Sequence, residues 1–328
     1  MDVDKPIVFM FSGQGSQYYQ MGRALYDGHP VFRHWMDTLD RSCLGIGGYS
    51  VTRELYDERQ PAGKNFDRLE YTHPAIFMLE YALANVFMEL GLHPQYVLGT
   101  SLGEYAACAV AGALDYETAL ASVIVQAEMI RTECEPGGMT AVLAPYTLYY
   151  DEPVFHTNTE LASVNYDTHF VVAGGEAGLT AVEQYLKGRE ITFQRLPVPY
   201  GFHSRWIEAA RMPYARHLGS VTLHSPRMKV VSGCMGVQEN LDAESLWEAV
   251  REPLFFRSAI KALKPEKSKI YIDLGPSGTL ANFMKQNRYL GLATEDIYPV
   301  ITPFSKEMTG MERIVARIAA EQKGRPWY

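Results

Sequence analysis

Apolar positions along the chain alternate between short continuous runs and longer stretches at helical spacing. Residues 7–11 (IVFMF) are all apolar and end in Ser-Gly-Gln-Gly, which is typical of a buried strand that enters a tight turn. Residues 72–90 carry apolar side chains at helical spacing, with Thr72 as a candidate N-cap, and residues 96–98 form a second short apolar run. These alternating strand and helix signals predict an α/β protein.

The pattern changes between residues 139 and 199. Short strand-like segments surround one helical segment there, in an order with β-α-β-β character, and a longer α/β pattern resumes afterwards. The sequence therefore predicts a large domain from residues 1–138 and 200–328, with a small α+β subdomain inserted at residues 139–199.

Composition narrows the class of protein. The 328 residues can bury a large core, and a net charge of -8 argues against nucleic acid or an anionic membrane as the main partner. The chain has no membrane-length apolar stretch, no signal-peptide pattern, no C-x-x-C pair, no metal-ligand cluster and no dinucleotide fingerprint. We expect a soluble cytoplasmic protein with reduced thiols.

The segment Gly99-Thr100-Ser101-Leu102-Gly103 has the G-x-S-x-G spacing of an activated serine. A predicted strand precedes it and a helix rich in small residues follows, which is the context of a nucleophile elbow. Such a turn exposes the hydroxyl of Ser101 and directs the Leu102 N–H at a developing oxyanion. The alternative is a chance match in a glycine-rich chain.

A nucleophilic serine needs a base, which is normally histidine. Of the nine histidines, none follows His224, which argues against an ordinary α/β-hydrolase with its histidine near the C-terminus. His203 is the strongest candidate, because it follows a Pro- and Gly-containing turn and opens a helix. A capping or surface role for His203 is the alternative.

A second glycine-rich turn, residues 12–16 (SGQGS), lacks the lysine and spacing of a phosphate-binding loop. Its glycines would let a backbone N–H approach a reacting carbonyl and complete an oxyanion hole with Leu102. The alternative is a plain strand-to-helix turn.

Six motifs together resemble one enzyme family. GQGSQ, THPAIFMLEYAL, GTSLGEYAA, PGG-M-AV, FHS and DLGPSGTL have the order and spacing of malonyl-CoA:acyl-carrier-protein transacylases and of the acyltransferase domains of fatty acid and polyketide synthases. The resemblance extends from Ile7 to about Met284. It implies a large α/β-hydrolase-like domain with an inserted ferredoxin-like subdomain.

The resemblance also implies the roles of individual residues. Ser101 and His203 would form a catalytic dyad, and the backbone N–H groups of Gln14 and Leu102 would form the oxyanion hole. The histidine of the family is held by a backbone carbonyl, which maps to about Ala249.

One departure from the family concerns the acyl group. Members that take malonyl units carry an arginine on the helix after the elbow, and Gln126 occupies that position here. An arginine pairs with the free carboxylate of malonyl, which glutamine cannot do with charge. A charge-assisted bond contributes about 1.5–3 kcal/mol, so selectivity for a dicarboxylic unit should fall roughly ten- to over a hundredfold.

Further departures lie at positions expected to shape the acyl pocket. Gly201 is expected to widen that pocket beside the base. The residues at these positions are His73, Thr100, Tyr200, Gly201 and Phe202.

This pattern is similar to the trans-acting acyl hydrolases of polyketide pathways, which remove short acyl groups from acyl carrier proteins as a proofreading step. It implies a carrier-protein partner that brings its own phosphopantetheine, with no bound cofactor, and acyl-CoA as a possible donor. The basic residues Arg195, Arg205 and Arg211 are candidates for a docking rim. An acyltransferase between CoA and carrier protein is the alternative, and a non-catalytic docking protein is a third hypothesis.

Overall fold

A parallel sheet forms the centre of the large domain in the computed structural model, which describes residues 5–60, 64–238, 241–263, 268–287, 290–304 and 307–321. Its strands are β1 (Ile7–Phe11), β2 (Tyr96–Gly99), β7 (Lys229–Ser232), β8 (Gly236–Gln238), β10 (Ile270–Asp273) and β11 (Ile297–Pro299), and they lie in the order β11-β10-β1-β2-β7-β8. All neighbours are parallel except β7 and β8. The ends of the predicted large domain, residues 1–4 and 322–328, lie outside the described residues.

Helices cover both faces of this sheet, which explains why the run IVFMF is apolar throughout. Ile7, Phe9 and Phe11 pack into the larger core, whereas Val8 and Met10 pack into a second cluster on the opposite face. The helices of the chain are α1 (Arg23–Gly28), α2 (Pro30–Gly47), α3 (Val51–Leu55), α4 (Leu69–Glu89), α5 (Gly103–Ala111), α6 (Tyr116–Glu133), α7 (Leu148–Asp151), α8 (Pro153–Asn158), α9 (Glu176–Gly188), α10 (Arg211–Leu218), α11 (Ala243–Arg251), α12 (Phe256–Ala262), α13 (Thr279–Gln286) and α14 (Glu307–Glu321), with short 3₁₀ helices at Arg205–Ala210 and Thr294–Asp296.

A second, mostly antiparallel sheet belongs to the inserted segment. Its strands are β3 (Gly138–Val142), β4 (Glu160–Tyr166), β5 (His169–Gly174), β6 (Phe193–Arg195) and β9 (Leu254–Phe255), in the order β6-β3-β5-β4-β9. The first four strands and their helices follow a β-α-β-β-α-β path. β9 comes from outside residues 139–199 and pairs in parallel with β4.

The prediction that Thr72 caps its helix was wrong. Helix α4 begins one turn earlier, at Leu69, and the Thr72 hydroxyl instead accepts a hydrogen bond from the Gln14 side chain at 2.9 Å.

Within the part of the chain that the structure describes, no helix has both the length and the apolar character that a membrane crossing requires.

Candidate active site

Two turns meet at the carboxyl ends of neighbouring parallel strands. β1 and β2 pair in register, with Phe11 opposite Gly99, so the turns that follow them lie side by side. A Cβ added to Gly13 would lie 2.8 Å from Cβ of Ser101, which shows how closely the first turn packs against the serine. Only glycine fits at Gly13 without displacing one of the two turns.

Ser101 occupies a sharp turn between β2 and α5. Its φ angle is +56°, in the left-handed region that costs a non-glycine residue about 1–3 kcal/mol. The Glu104 N–H donates to the Ser101 carbonyl at 3.0 Å, so the turn continues directly into the helix. The Ser101 hydroxyl therefore has a fixed position at the amino end of α5.

His203 lies within hydrogen-bond distance of the serine. Its Nε2 is 2.9 Å from Ser101 Oγ, and its Nδ1 is 2.8 Å from the Glu252 carbonyl oxygen. Because a carbonyl oxygen only accepts, Nδ1 carries the proton and Nε2 is left to accept from the serine hydroxyl. The ring thus has the tautomer that a general base needs.

The prediction that the Ala249 carbonyl orients the histidine was wrong. Ala249 lies inside α11, where carbonyls point along the helix axis, whereas Glu252 is the C-cap residue with an extended backbone (φ -83°, ψ 149°). Its carbonyl is free to turn toward His203. The His203 N–H also donates to the Val250 carbonyl at 3.0 Å, so this helix end holds His203 at two points.

Burial lowers the pKa of His203, the hydrogen bond to the Glu252 carbonyl opposes that effect, and the nearby Arg251 adds to it; together they bring the pKa from 6.5 to about 4. The ring is therefore neutral at neutral pH and can accept a proton. Because protonation would remove that capacity, activity should be present above this pKa and lost as the pH falls through it.

We therefore expect kcat/KM to stay nearly constant from about pH 7 down to about pH 5 and to fall only below that range. A pH profile of kcat/KM, recorded with the protein checked for folding at each pH, measures this. An acid limb near the ordinary histidine pKa of 6.5 would contradict the expectation.

The backbone N–H groups of Gln14 and Leu102 belong to the two turns that meet at Ser101. Neither donates a hydrogen bond to any residue that the structure describes. They are therefore available to a ligand, as an oxyanion hole requires.

A cavity of about 460 Å³ opens beside Ser101 and His203, between the two sheets. Ser101 and His203 line it, together with Thr100 and Phe202 from the predicted pocket. The second sheet contributes alternate side chains, including Met139, Ala141, Ser163, Asn165, His169 and Val171. Sequence reasoning missed these residues, although the alternation along β3, β4 and β5 is the signal that could have found them.

No aspartate, glutamate, lysine or arginine lines this cavity among the described residues. The same part of the chain contains no group of three His, Cys, Asp or Glu side chains that could hold a metal ion. The cavity wall therefore consists of apolar side chains and of polar side chains without a charge.

A family model for the acyl transferase domain matches residues 8–322. The chain belongs to the acyl transferase domain family. It is similar to two polyketide biosynthesis acyltransferase homologs over 313 residues, BaeD of Bacillus velezensis (44% identical) and PksD of Bacillus subtilis (41% identical), each match covering 95% of this chain and 96% of the relative. Membership of the family makes the chain an acyltransferase-type enzyme.

Solved structures of acyl transferase domains share the fold. The acyltransferase domain from the second module of the salinomycin polyketide synthase is 26% identical, with a TM-score of 0.81 over 99% of this chain and 79% of that chain. A loading acyltransferase from the avermectin polyketide synthase is 23% identical, with a TM-score of 0.86 over 95% of this chain and 99% of that chain. The predicted α/β fold with a smaller subdomain is confirmed.

In this acyl transferase domain, Gln126 does not line the cavity. It is fully buried, and its amide nitrogen donates to the Tyr105 hydroxyl at 3.0 Å, while Tyr105 in turn donates to the Leu246 carbonyl at 3.2 Å. The Gln126 Oε1 atom has no hydrogen-bond partner among the described residues. The side chain therefore belongs to a buried polar network behind the nucleophile helix.

Three other predicted pocket residues also lie outside the cavity wall. The buried His73 ring packs on Phe202, with ring centroids 5.6 Å apart, and the Tyr200 hydroxyl lies 3.5 Å from the Arg131 carbonyl oxygen. The expectation that Gly201 widens the acyl pocket was wrong. A Cβ at Gly201 would lie 3.1 Å from Cβ of Trp206, so the space beside it is already filled.

The three arginines proposed for a docking rim all form ion pairs within the chain. Their guanidinium groups lie 2.6 Å (Arg195 with Glu183), 3.1 Å (Arg205 with Glu160) and 2.7 Å (Arg211 with Glu244) from carboxylate oxygens. Each positive charge is thus balanced by a neighbour, which reduces its pull on an acidic partner.

Proposed function

We propose that this acyl transferase domain hydrolyses short, uncharged acyl thioesters carried on acyl carrier proteins. The observation that carries the proposal is the contact between Ser101 and His203 at a cavity with no charged side chain among the described residues. The similarity to polyketide biosynthesis acyltransferase homologs supports a carrier protein as the partner. Phosphopantetheine would enter with that partner, and the mechanism requires no resident cofactor.

Acylation of the serine is the first half of the proposed reaction. Ser101 Oγ attacks the thioester carbonyl carbon while His203 Nε2 takes the hydroxyl proton. The Glu252 carbonyl, hydrogen-bonded to Nδ1–H, stabilises the imidazolium that forms. The oxyanion accepts hydrogen bonds from the N–H groups of Gln14 and Leu102. Collapse of the intermediate breaks the C–S bond, and His203 returns the proton to the leaving sulfur.

Hydrolysis of the acyl-serine ester is the second half. His203 removes a proton from a water molecule, whose oxygen attacks the ester carbonyl, and the same N–H groups hold the second oxyanion. The C–O bond to Ser101 then breaks, and His203 returns the proton to Ser101 Oγ. The products are the free acid and the regenerated enzyme.

The lining of the cavity supports selectivity against dicarboxylic acyl groups. A malonyl carboxylate would lose hydration on entry without meeting a cation from any described lining residue. An acetyl or other aliphatic group carries no such penalty and gains apolar contacts. We therefore expect acetyl thioesters to react faster than malonyl thioesters.

Transfer of the acyl group to a second thiol is the other candidate function. The family assignment favours it, since the relatives are described as acyltransferase homologs. The two functions share every step up to the acyl-serine and differ only in what attacks that ester.

An acceptor experiment separates the two functions. We expect an acetylated carrier protein mixed with enzyme and an excess of a second holo carrier protein to give mainly acetate, measured by mass spectrometry of both carriers and the free acid. A Ser101→Ala protein serves as the control and should give neither product. Acetyl groups found mainly on the second carrier would favour transfer, and efficient malonyl use would contradict the proposed selectivity.

A further inference from the structure

A buried carboxyl group lies directly beneath the turn that carries Gln14. Glu80, in α4, has no exposed surface, and its Oε1 is 2.6 Å from the Ser12 backbone nitrogen and 3.1 Å from Ser12 Oγ. No lysine, arginine or histidine pairs with it among the described residues. A carboxyl placed this deep with no cation requires an explanation.

The number of available hydroxyl protons on Ser12 and Ser16 indicates the protonation state of the Glu80 carboxyl. Ser16 Oγ uses its proton on the Gly13 carbonyl oxygen at 2.8 Å, so it can only accept from Ser12 Oγ, which is 3.1 Å away. That contact uses the single hydroxyl proton of Ser12. With the Ser12 proton on Ser16, the remaining 3.1 Å contact between Ser12 Oγ and Glu80 Oε1 is a hydrogen bond when Glu80 supplies the proton; an ionised Glu80 would have to compete with Ser16 for the one proton of Ser12.

An uncharged Glu80 satisfies all of these contacts. A proton on Oε1 is donated to Ser12 Oγ, and the same oxygen still accepts from the Ser12 N–H. The second oxygen, Oε2, has no partner in the described part of the chain. An unpartnered carbonyl oxygen costs far less than an unpartnered carboxylate oxygen.

The surroundings also disfavour a charge on Glu80. Burial raises the pKa of Glu80 and the nearby Asp273 adds to that effect, while the hydrogen bonds from Ser12 lower it; burial dominates, and the pKa lies well above its ordinary value. Burial raises the pKa of Asp273 to about 6, but Asp273 accepts hydrogen bonds from the N–H groups of Gly275 (3.0 Å) and Ala281 (2.8 Å), which favour its ionised form at neutral pH. Of the two carboxyls, Glu80 is the one that stays neutral.

The resulting chain of hydrogen bonds runs from Glu80 through Ser12 and Ser16 to the Gly13 carbonyl, and so encloses the peptide that carries Gln14. We propose that Glu80, as the uncharged acid, is a positioning residue that fixes the turn of residues 12–16 and thereby the Gln14 N–H of the oxyanion hole. This inference rests on the proposed function, because it assigns Gln14 a role in that reaction.

The test compares two substitutions of the same residue. Glu80→Gln keeps an uncharged side chain of the same shape with an oxygen that accepts from the Ser12 N–H. That oxygen cannot donate to Ser12 Oγ, but the Ser12 hydroxyl can turn to donate to it, so the turn stays anchored and kcat should be retained within about fivefold. Glu80→Leu removes the acceptor, and it should lower kcat by about 10- to 100-fold with KM little changed, because a small misplacement of an oxyanion donor is costly in the transition state.

A transition-state analogue separates positioning from stability. A trifluoromethyl ketone analogue of acetyl-pantetheine forms an oxyanion on Ser101, so its affinity for Glu80→Leu should fall in parallel with kcat. A purely structural role would lower the melting temperature and leave this affinity unchanged. Ser122→Ala is the matched control, since it removes a fully buried hydroxyl in α6 whose partners among the described residues are the Thr118 carbonyl and His217.

The outcomes keep the two proposals apart. If the parent enzyme neither cleaves thioesters nor reacts with phenylmethylsulfonyl fluoride at Ser101, the proposed function fails. If the parent is active and Glu80→Leu keeps its kcat and its analogue affinity within about threefold, the role of Glu80 is overturned. Should Glu80→Leu fail to fold, Glu80→Gln decides, because a loss of more than about fivefold in that variant overturns the role of the uncharged acid.

Discussion

Replacing His203 with asparagine should lower kcat/KM for acetyl thioester hydrolysis by about 10³-fold or more. The substitution removes the nitrogen that lies 2.9 Å from Ser101 Oγ, and nothing else described there can take the serine proton. Asparagine is the suitable replacement because His203 has a φ angle of +58°, which asparagine tolerates better than alanine does. The fold should therefore survive while the base is lost.

Release of the carrier thiol, followed with a chromogenic thiol reagent, measures this loss. His156→Asn is the matched control, since His156 is exposed and lies in α8 of the inserted subdomain. Because Ser101 and His203 act as one unit, the double variant Ser101→Ala, His203→Asn should be no slower than Ser101→Ala alone. Activity above about a tenth of the parent value in His203→Asn would refute a dyad mechanism.

The positions of Ser101 and of the turn at residues 12–16 could be predicted from the sequence because each follows a short, fully apolar run. Such runs fold as buried parallel strands, and parallel neighbours bring the turns at their carboxyl ends together. The pairing of Phe11 with Gly99 therefore turns two local patterns, 85 or more residues apart, into one site. Predicting His203 as the partner of Ser101 required the family resemblance, because the sequence around His203 is equally typical of a helix cap.

The sequence-based predictions that were wrong concern features that depend on tertiary contacts. The family resemblance placed the carbonyl that holds His203 at about Ala249, but which carbonyl meets the ring depends on where α11 ends, and its C-cap is Glu252. Gly201 looked like added space, but the space is occupied by Trp206, which only the folded chain places there. Glu80 carried no signal, because an acidic residue in an apolar helix is normally read as its solvent-facing position.

Replacing Gln126 with arginine should shift the acyl selectivity of the enzyme from acetyl toward malonyl groups. Gln126 bonds to Tyr105, which lies four residues after Ser101 in the sequence, and an arginine side chain extends further than glutamine from the same backbone position. A guanidinium there would pair with the free carboxylate of a malonyl group. We expect Gln126→Arg to raise the ratio of malonyl to acetyl kcat/KM by about tenfold or more, the equivalent of a charge-assisted bond.

The same substitution should also destabilise the protein in the absence of ligand. The Gln126 site has no exposed surface, and a guanidinium without a counter-charge there should lower the free energy of unfolding by about 1–3 kcal/mol in urea titrations. Gln126→Met is the control, since it removes the amide without adding charge and should leave the ratio of malonyl to acetyl use near that of the parent. If the arginine variant folds and the ratio does not rise, then the residue at position 126 does not set acyl selectivity in this chain, and the uncharged wall of the cavity alone must exclude the carboxylate.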